Sequence, residues 1–115
     1  MPTAGGVPVR LSAAERAGIL AAVGRACAEA AVPWRRIVLF GSRVDPARRG
    51  GDIDLLIELD RPPLPSRLRF TQRLRLALED TIGEQKVDLV VDDGADHSAF
   101  LGIARDQGVP LWINE

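Results

Sequence analysis

Two stretches, Leu39-Phe40-Gly41-Ser42-Arg43 and Gly50-Gly51-Asp52-Ile53-Asp54-Leu55-Leu56, decide how this chain of 115 residues reads. The first closes a short apolar, β-branched run from Arg36 to Phe40, which predicts a buried strand ending at Gly41. The second opens a strand from Asp52 to Asp60. Strand alternation puts Ile53, Leu55, Ile57 and Leu59 on one face and Asp52, Asp54, Leu56 and Glu58 on the other. Asp52 and Asp54 therefore leave the same face. Two unpaired carboxylates that close repel, and one is driven to protonate unless a cation neutralises them. Mg2+, which prefers one or two carboxylates together with phosphate and water, is the natural partner. Gly41-Ser42 supplies the complementary half. Glycine lets the backbone approach a phosphate, the Ser42 hydroxyl and the following amides donate to its oxygens, and Arg43 adds charge.

Working outward, Lys86 to Asp92 predicts a third strand, with Val87, Leu89 and Val91 on one face and Asp88, Val90 and Asp92 on the other. If this strand neighbours the second, Asp88 faces the same cleft as Asp52 and Asp54. Three carboxylates on adjacent strands suit two metals about 3.5–4 Å apart. A one-residue slip of register would turn Asp88 away, but burial of Val87, Leu89 and Val91 holds the orientation. Leu11 to Val32 predicts a helix with a capping box at Ser12 and Glu15, stopped by Pro33. A second helix starts after Ser66, buries Phe70, Leu74, Ala77, Leu78 and Ile82, and stops at Gly83. Asp93-Gly94 turns the chain into a last helix around Phe100, Ile103 and Ala104, closed by Gly108, and Leu111-Trp112-Ile113 suits an edge strand. Arg61-Pro62-Pro63-Leu64-Pro65 reads as a stiff loop. Residues 1–10 are expected to be a flexible leader and 11–115 a single domain. The fold class expected is α/β (α+β), a small mixed β-sheet packed with helices.

Composition excludes several classes. With 46% hydrophobic and 27% charged residues the chain suits a globular domain rather than a disordered one. A net charge of −1 argues against a dedicated nucleic-acid surface and against attraction to anionic membranes. No apolar run approaches the roughly 20 residues of a membrane span, and residues 1–9 lack the features of a secretory signal, so a cytoplasmic location is expected. The single cysteine, Cys27, reads as a small core hydrophobe and forms no internal disulfide. Charge is uneven: 61–75 carries five arginines and no acid, and 88–115 carries six acids and one base. Fourteen of the fifteen bases are arginine.

Gly41-Ser42, nine intervening residues, Asp52-x-Asp54 and then Asp88 in Lys86-Val87-Asp88-Leu89-Val90 together resemble the minimal nucleotidyltransferases of the DNA polymerase β superfamily. The likeness covers Arg36 to Val91, and Ile103 to Val109 is also similar. Asp45-Pro46 and Gly50-Gly51 depart from the more regular connector of many relatives. The resemblance implies a nucleotidyltransferase fold, ATP as nucleotide donor and Mg2+ in a two-metal site. It assigns Asp52, Asp54 and Asp88 as metal-binding and catalytic residues and Gly41, Ser42 and Arg43 as the triphosphate cradle. It also implies an antitoxin paired with a small helical HEPN-type toxin, which it adenylylates. Two alternatives stay open: an antitoxin acting by binding alone, and a small-molecule transferase of the aminoglycoside type. A homo-oligomer would supply the acceptor pocket in the last case. Among other residues, Glu58 reads as a rim charge, Arg67, Arg69, Arg73 and Arg75 as the wet face of a helix, His97 as a surface or cap residue, and Trp34 and Trp112 as edge packing.

Overall fold

A computed structural model describes residues 2–47, 51–60, 64–94 and 99–114, except for the side chains of residues 99, 100, 103 and 105. The elements are β1 (Pro2–Ala4), α1 (Ala13–Ala30), β2 (Trp34–Phe40), a 3-10 turn (Gly41–Val44), β3 (Ile53–Leu59), α2 (Arg67–Ile82), β4 (Val87–Asp92), α3 (Ala99–Gln107) and β5 (Val109–Asn114). The strands form one mixed sheet in the order β1-β5-β2-β3-β4. β3 and β4 are parallel, while β2–β3, β2–β5 and β1–β5 are antiparallel. A parallel pair cannot be closed by a hairpin, and α2 is the crossover that joins β3 to β4.

Local chemistry explains the helix limits. At the start of α1 the Ser12 hydroxyl accepts from the Glu15 amide at 3.0 Å, and Glu15 Oε1 accepts from the Ser12 amide at 2.9 Å. At the start of α2 the Ser66 hydroxyl accepts from the Arg69 amide at 3.1 Å. α1 and α2 lie together on one face of the sheet. Ile19, Val23, Phe70 and Leu74 pack there against Ile37, Leu39, Ile53, Leu55 and Ile57. The opposite face has a smaller core, in which Leu101 and Ala104 of α3 meet Val38 and Leu56.

Several expectations change on folding. Pro2–Ala4 are not a loose leader; they pair with Trp112–Asn114 as an edge strand. β5 is consequently internal, flanked by β1 and β2, because its otherwise open row of amides and carbonyls is paired on both sides. Glu58 is not a rim charge: it is 5% exposed and accepts from Arg36 Nε at 2.5 Å. Trp34 lies in the main core rather than at an edge, while Trp112 packs beside that core and donates its indole N–H to the Arg16 carbonyl at 3.1 Å. Cys27 is buried among α1 core residues, and burial pushes its thiol up to about 12. Arg61-Pro62-Pro63, His97 and the side chains of Phe100 and Ile103 lie outside the described residues. No helix among the described residues is long and apolar enough to cross a membrane.

Leu55 is fully buried at the centre of the larger core. Leu55→Ala is expected to cost about 2–5 kcal/mol through lost transfer energy and the cavity left behind. Urea unfolding measures this as a lower midpoint with an unchanged slope.

Candidate active site

The carboxylates gather where β2 ends and β3 and β4 begin. Antiparallel register sets Phe40 opposite Asp54, and parallel register sets Asp54 opposite Asp88. Phe40, Asp54 and Asp88 thus form one row across three strands, on the face that carries α3. The apolar residues Ile53, Leu55 and Ile57 of β3, with Val87 and Val91 of β4, are buried on the other face. Their burial leaves the acids no choice of side.

The row brings like charges together. Adjacent strands run about 4.8 Å apart, well inside the range of carboxylate repulsion. Asp54 is held above the usual aspartate range, first by burial, then by its hydrogen bond with Asp88, then by the negative charges of Asp88 and Asp52. Lys86 acts in the opposite direction.

Asp52 has another partner. Its Oδ2 lies 3.4 Å from Lys86 Nζ, and the neighbouring Ile53 amide donates to the Lys86 carbonyl at 3.1 Å. Because Ile53 pairs with Val87, the register continued back by one residue sets Asp52 against Lys86. Asp52 with Lys86 and Asp54 with Asp88 are successive cross-strand pairs on one face. Among the described residues no three His, Cys, Asp or Glu side chains converge closely enough to hold a metal ion. Asp54 stands opposite Asp88 across the ladder, and Asp52 lies against the lysine. Sequence reasoning missed Lys86, although its position two residues before Asp88 on the same strand was a usable signal.

The Gly-Ser turn closes over this row. Gly41 has φ +77°, and a Cβ there would collide with Asp54 Oδ2. Gly51 has φ +87°, and a Cβ there would collide with the Ser42 hydroxyl. Both positions favour glycine for backbone conformation, and a Cβ at either would also make the Asp54 or Ser42 side chain shift. Gly41 is exposed, and Ser42 half-buried, so a group above the Asp54–Asp88 pair lies beside an open turn. Arg43, expected to contact phosphate, is instead turned inward. Its Nη1 donates to the Arg10 carbonyl at 3.1 Å and lies 3.9 Å from Glu15 Oε2, while the Arg43 carbonyl accepts from the Arg10 amide at 2.9 Å. Burial tends to raise Glu15. Hydrogen bonds from Ser12 and Gln85 and the charge of Arg43 outweigh it and leave the carboxyl below its usual range. Of the α2 arginines, Arg67 is paired with Asp93 at 3.3 Å and Arg75 donates to the Val87 carbonyl at 2.7 Å, so these two fasten α2 to β4 and its following turn.

The chain matches no family model, no curated protein and no solved structure. The site therefore rests on its own geometry.

Two outcomes follow from that geometry. Gly41→Ala is expected to cost about 1–2 kcal/mol from its left-handed backbone, plus the clash with Asp54. In an Asp54→Ala background the clash component disappears, and a double-mutant cycle by urea unfolding reads the difference. Asp54 supplies the second. An acid whose folded-state pKa stands above its unfolded value adds stability only below the unfolded value, and loses it as pH rises through the folded one. Asp54→Asn is therefore expected to raise the urea midpoint at neutral pH in a chelator. The gain should vanish towards acid pH, where wild-type Asp54 is protonated as well.

Proposed function

We propose that this chain has a nucleotidyltransferase fold and is a metal-dependent nucleotidyltransferase that moves AMP from ATP to an acceptor hydroxyl. The observation that carries this reading is the Asp54–Asp88 pair beside the Gly41-Ser42 turn, with Asp52 one step along the same face. The donor set is all oxygen, and its members repel one another, which fits a hard divalent cation such as Mg2+. Asp52, Asp54 and Asp88 would hold that cation, which when bound offsets the charge of the triphosphate and acidifies the acceptor hydroxyl.

The chain's own residues then position and orient. Ser42 donates its hydroxyl to a phosphate oxygen, and Gly41 lets the backbone lie close to the triphosphate. Asp88, on the exposed side of the row, orients the acceptor hydroxyl. The acceptor oxygen bonds to the α-phosphorus, the bond to the bridging oxygen breaks, pyrophosphate leaves, and the hydroxyl proton passes to solvent. Arg43 would have to leave Arg10 and Glu15 to reach a phosphate. The exposure of Gly41 and Asp88 suits an acceptor presented on a partner's surface. We accordingly read the chain as an antitoxin that adenylylates a HEPN-type toxin protein. Antitoxin action by binding alone is the second reading, favoured by the inward turn of Arg43.

Incubation with α-labelled ATP, Mg2+ and a small helical HEPN-type protein decides between them. Label on the partner supports transfer. Neutralisation of the partner without label supports binding alone. Asp52→Asn is expected to abolish labelling while leaving the fold intact by circular dichroism, because this carboxylate is partly exposed and supports no core. ATP and Mg2+ together are expected to stabilise the protein by about 2.7 kcal/mol at 100 times the dissociation constant, and thermal unfolding measures this.

A further inference from the structure

In this chain every cationic side chain but one is an arginine, and the exception, Lys86, stands against the acid cluster. Its backbone is not free to move away. The Lys86 carbonyl accepts from the Ile53 amide at 3.1 Å, and Val87 is locked opposite Ile53 in the parallel ladder. Strand periodicity then places the Lys86 side chain on the face of Asp88, two residues on, and across from Asp52. The four side chains form a rectangle, with Asp52 and Asp54 along β3, and Lys86 and Asp88 along β4. Three corners are acids and one is a cation.

From this arrangement we infer that Lys86 is the resident counter-ion of the cluster, a positioning residue that holds Asp52 apart from the Asp54–Asp88 pair and competes with a divalent cation for it. The inference rests on the reading of the cluster as a cation site, and adds what sets that site's affinity. Asp52 engages Lys86 Nζ through Oδ2 at 3.4 Å, and no three acids converge among the described residues, so an ion drawn in by all three acids contends with the lysine for the charge of Asp52. Lysine suits such a role better than arginine. Its ammonium is a compact, strongly hydrated point charge on a flexible stem, without the planar fork that locks a carboxylate in two hydrogen bonds. Lys86 is largely exposed, so it can swing into water when displaced.

The test uses the full chain and Mn2+ alone as probe, with no nucleotide, and reads bound metal by electron paramagnetic resonance and calorimetry. Lys86→Met removes the charge and keeps the length, Lys86→Gln repeats the neutralisation with a polar group, and Lys86→Arg keeps the charge. Loss of one positive charge several ångströms from a divalent ion on a partly exposed surface is expected to tighten Mn2+ binding roughly three- to tenfold at low salt. The gain should shrink at high salt, where the Debye length falls to a few ångströms. Lys86→Arg should bind Mn2+ no more tightly than wild type. In an Asp52→Asn background the gain from Lys86→Met should be smaller, because only the direct repulsion between the lysine and the ion remains to be removed and the competition for Asp52 is already gone. Unchanged or weaker Mn2+ binding in both neutral variants, with wild-type binding intact and lost in Asp54→Asn, overturns the role of Lys86 alone. Wild-type protein that binds no Mn2+, or binds it equally well as Asp54→Asn, overturns the cluster as a cation site and the lysine's role with it.

Discussion

The parallel pairing of β3 with β4 sets one acid beside another. Asp54 opposite Asp88 and Glu58 opposite Asp92 place carboxylates side by side at both ends of the same face, a costly arrangement for a bare sheet. It persists because the opposite face of both strands is apolar and buried under two helices. Shifting β4 by one residue would relieve the acids but expose Val87 and Val91. Hydrophobic burial on one side of the sheet thus enforces electrostatic tension on the other. Glu58 is relieved by Arg36, whereas Asp54 stands against the like charges of Asp88 and Asp52, offset in part by the charge of Lys86.

The two faces of the sheet differ accordingly. The α1–α2 face is continuous and apolar and anchors the strands. The α3 face is apolar only around Val38, Leu56, Leu101 and Ala104, and leaves the starts of β3 and β4 to the acids. The Gly-Ser turn is built into this end by contact rather than by a separate loop. Gly41 lies against the Asp54 carboxylate and Gly51 against the Ser42 hydroxyl, so the two glycines bring the turn and the acid strand within touching distance. Arg43 and Arg10 tie the turn back to the start of α1 through two hydrogen bonds, which connects the N-terminal segment to the site.

Much of this was legible from short-range pattern. Ser12 with Glu15, Pro33, Ser66 and Gly83 mark helix limits through local hydrogen bonding and backbone restriction, which depend on neighbours a few residues away. The alternation of Ile53-Asp54-Leu55 and Val87-Asp88-Leu89 sorts acids from apolar residues because a strand's side chains have a period of two wherever the strand lies. Burial of the apolar set then decides which side the acids take, so the common face of Asp52, Asp54 and Asp88 was already implied.

What sequence pattern leaves open is which strand neighbours which, and in what register. Nothing local announces that Pro2–Ala4 cover the outer edge of β5, or that β5 is internal, since both depend on backbone hydrogen bonds between the two ends of the chain. The burial of Glu58 follows from Arg36 standing across the β2–β3 ladder, and the inward turn of Arg43 from the approach of Arg10 and Glu15. The partnership of Lys86 with Asp52 is of the same kind. Periodicity orients a side chain relative to its own strand, but charges 34 residues apart interact only after tertiary pairing has brought their strands together.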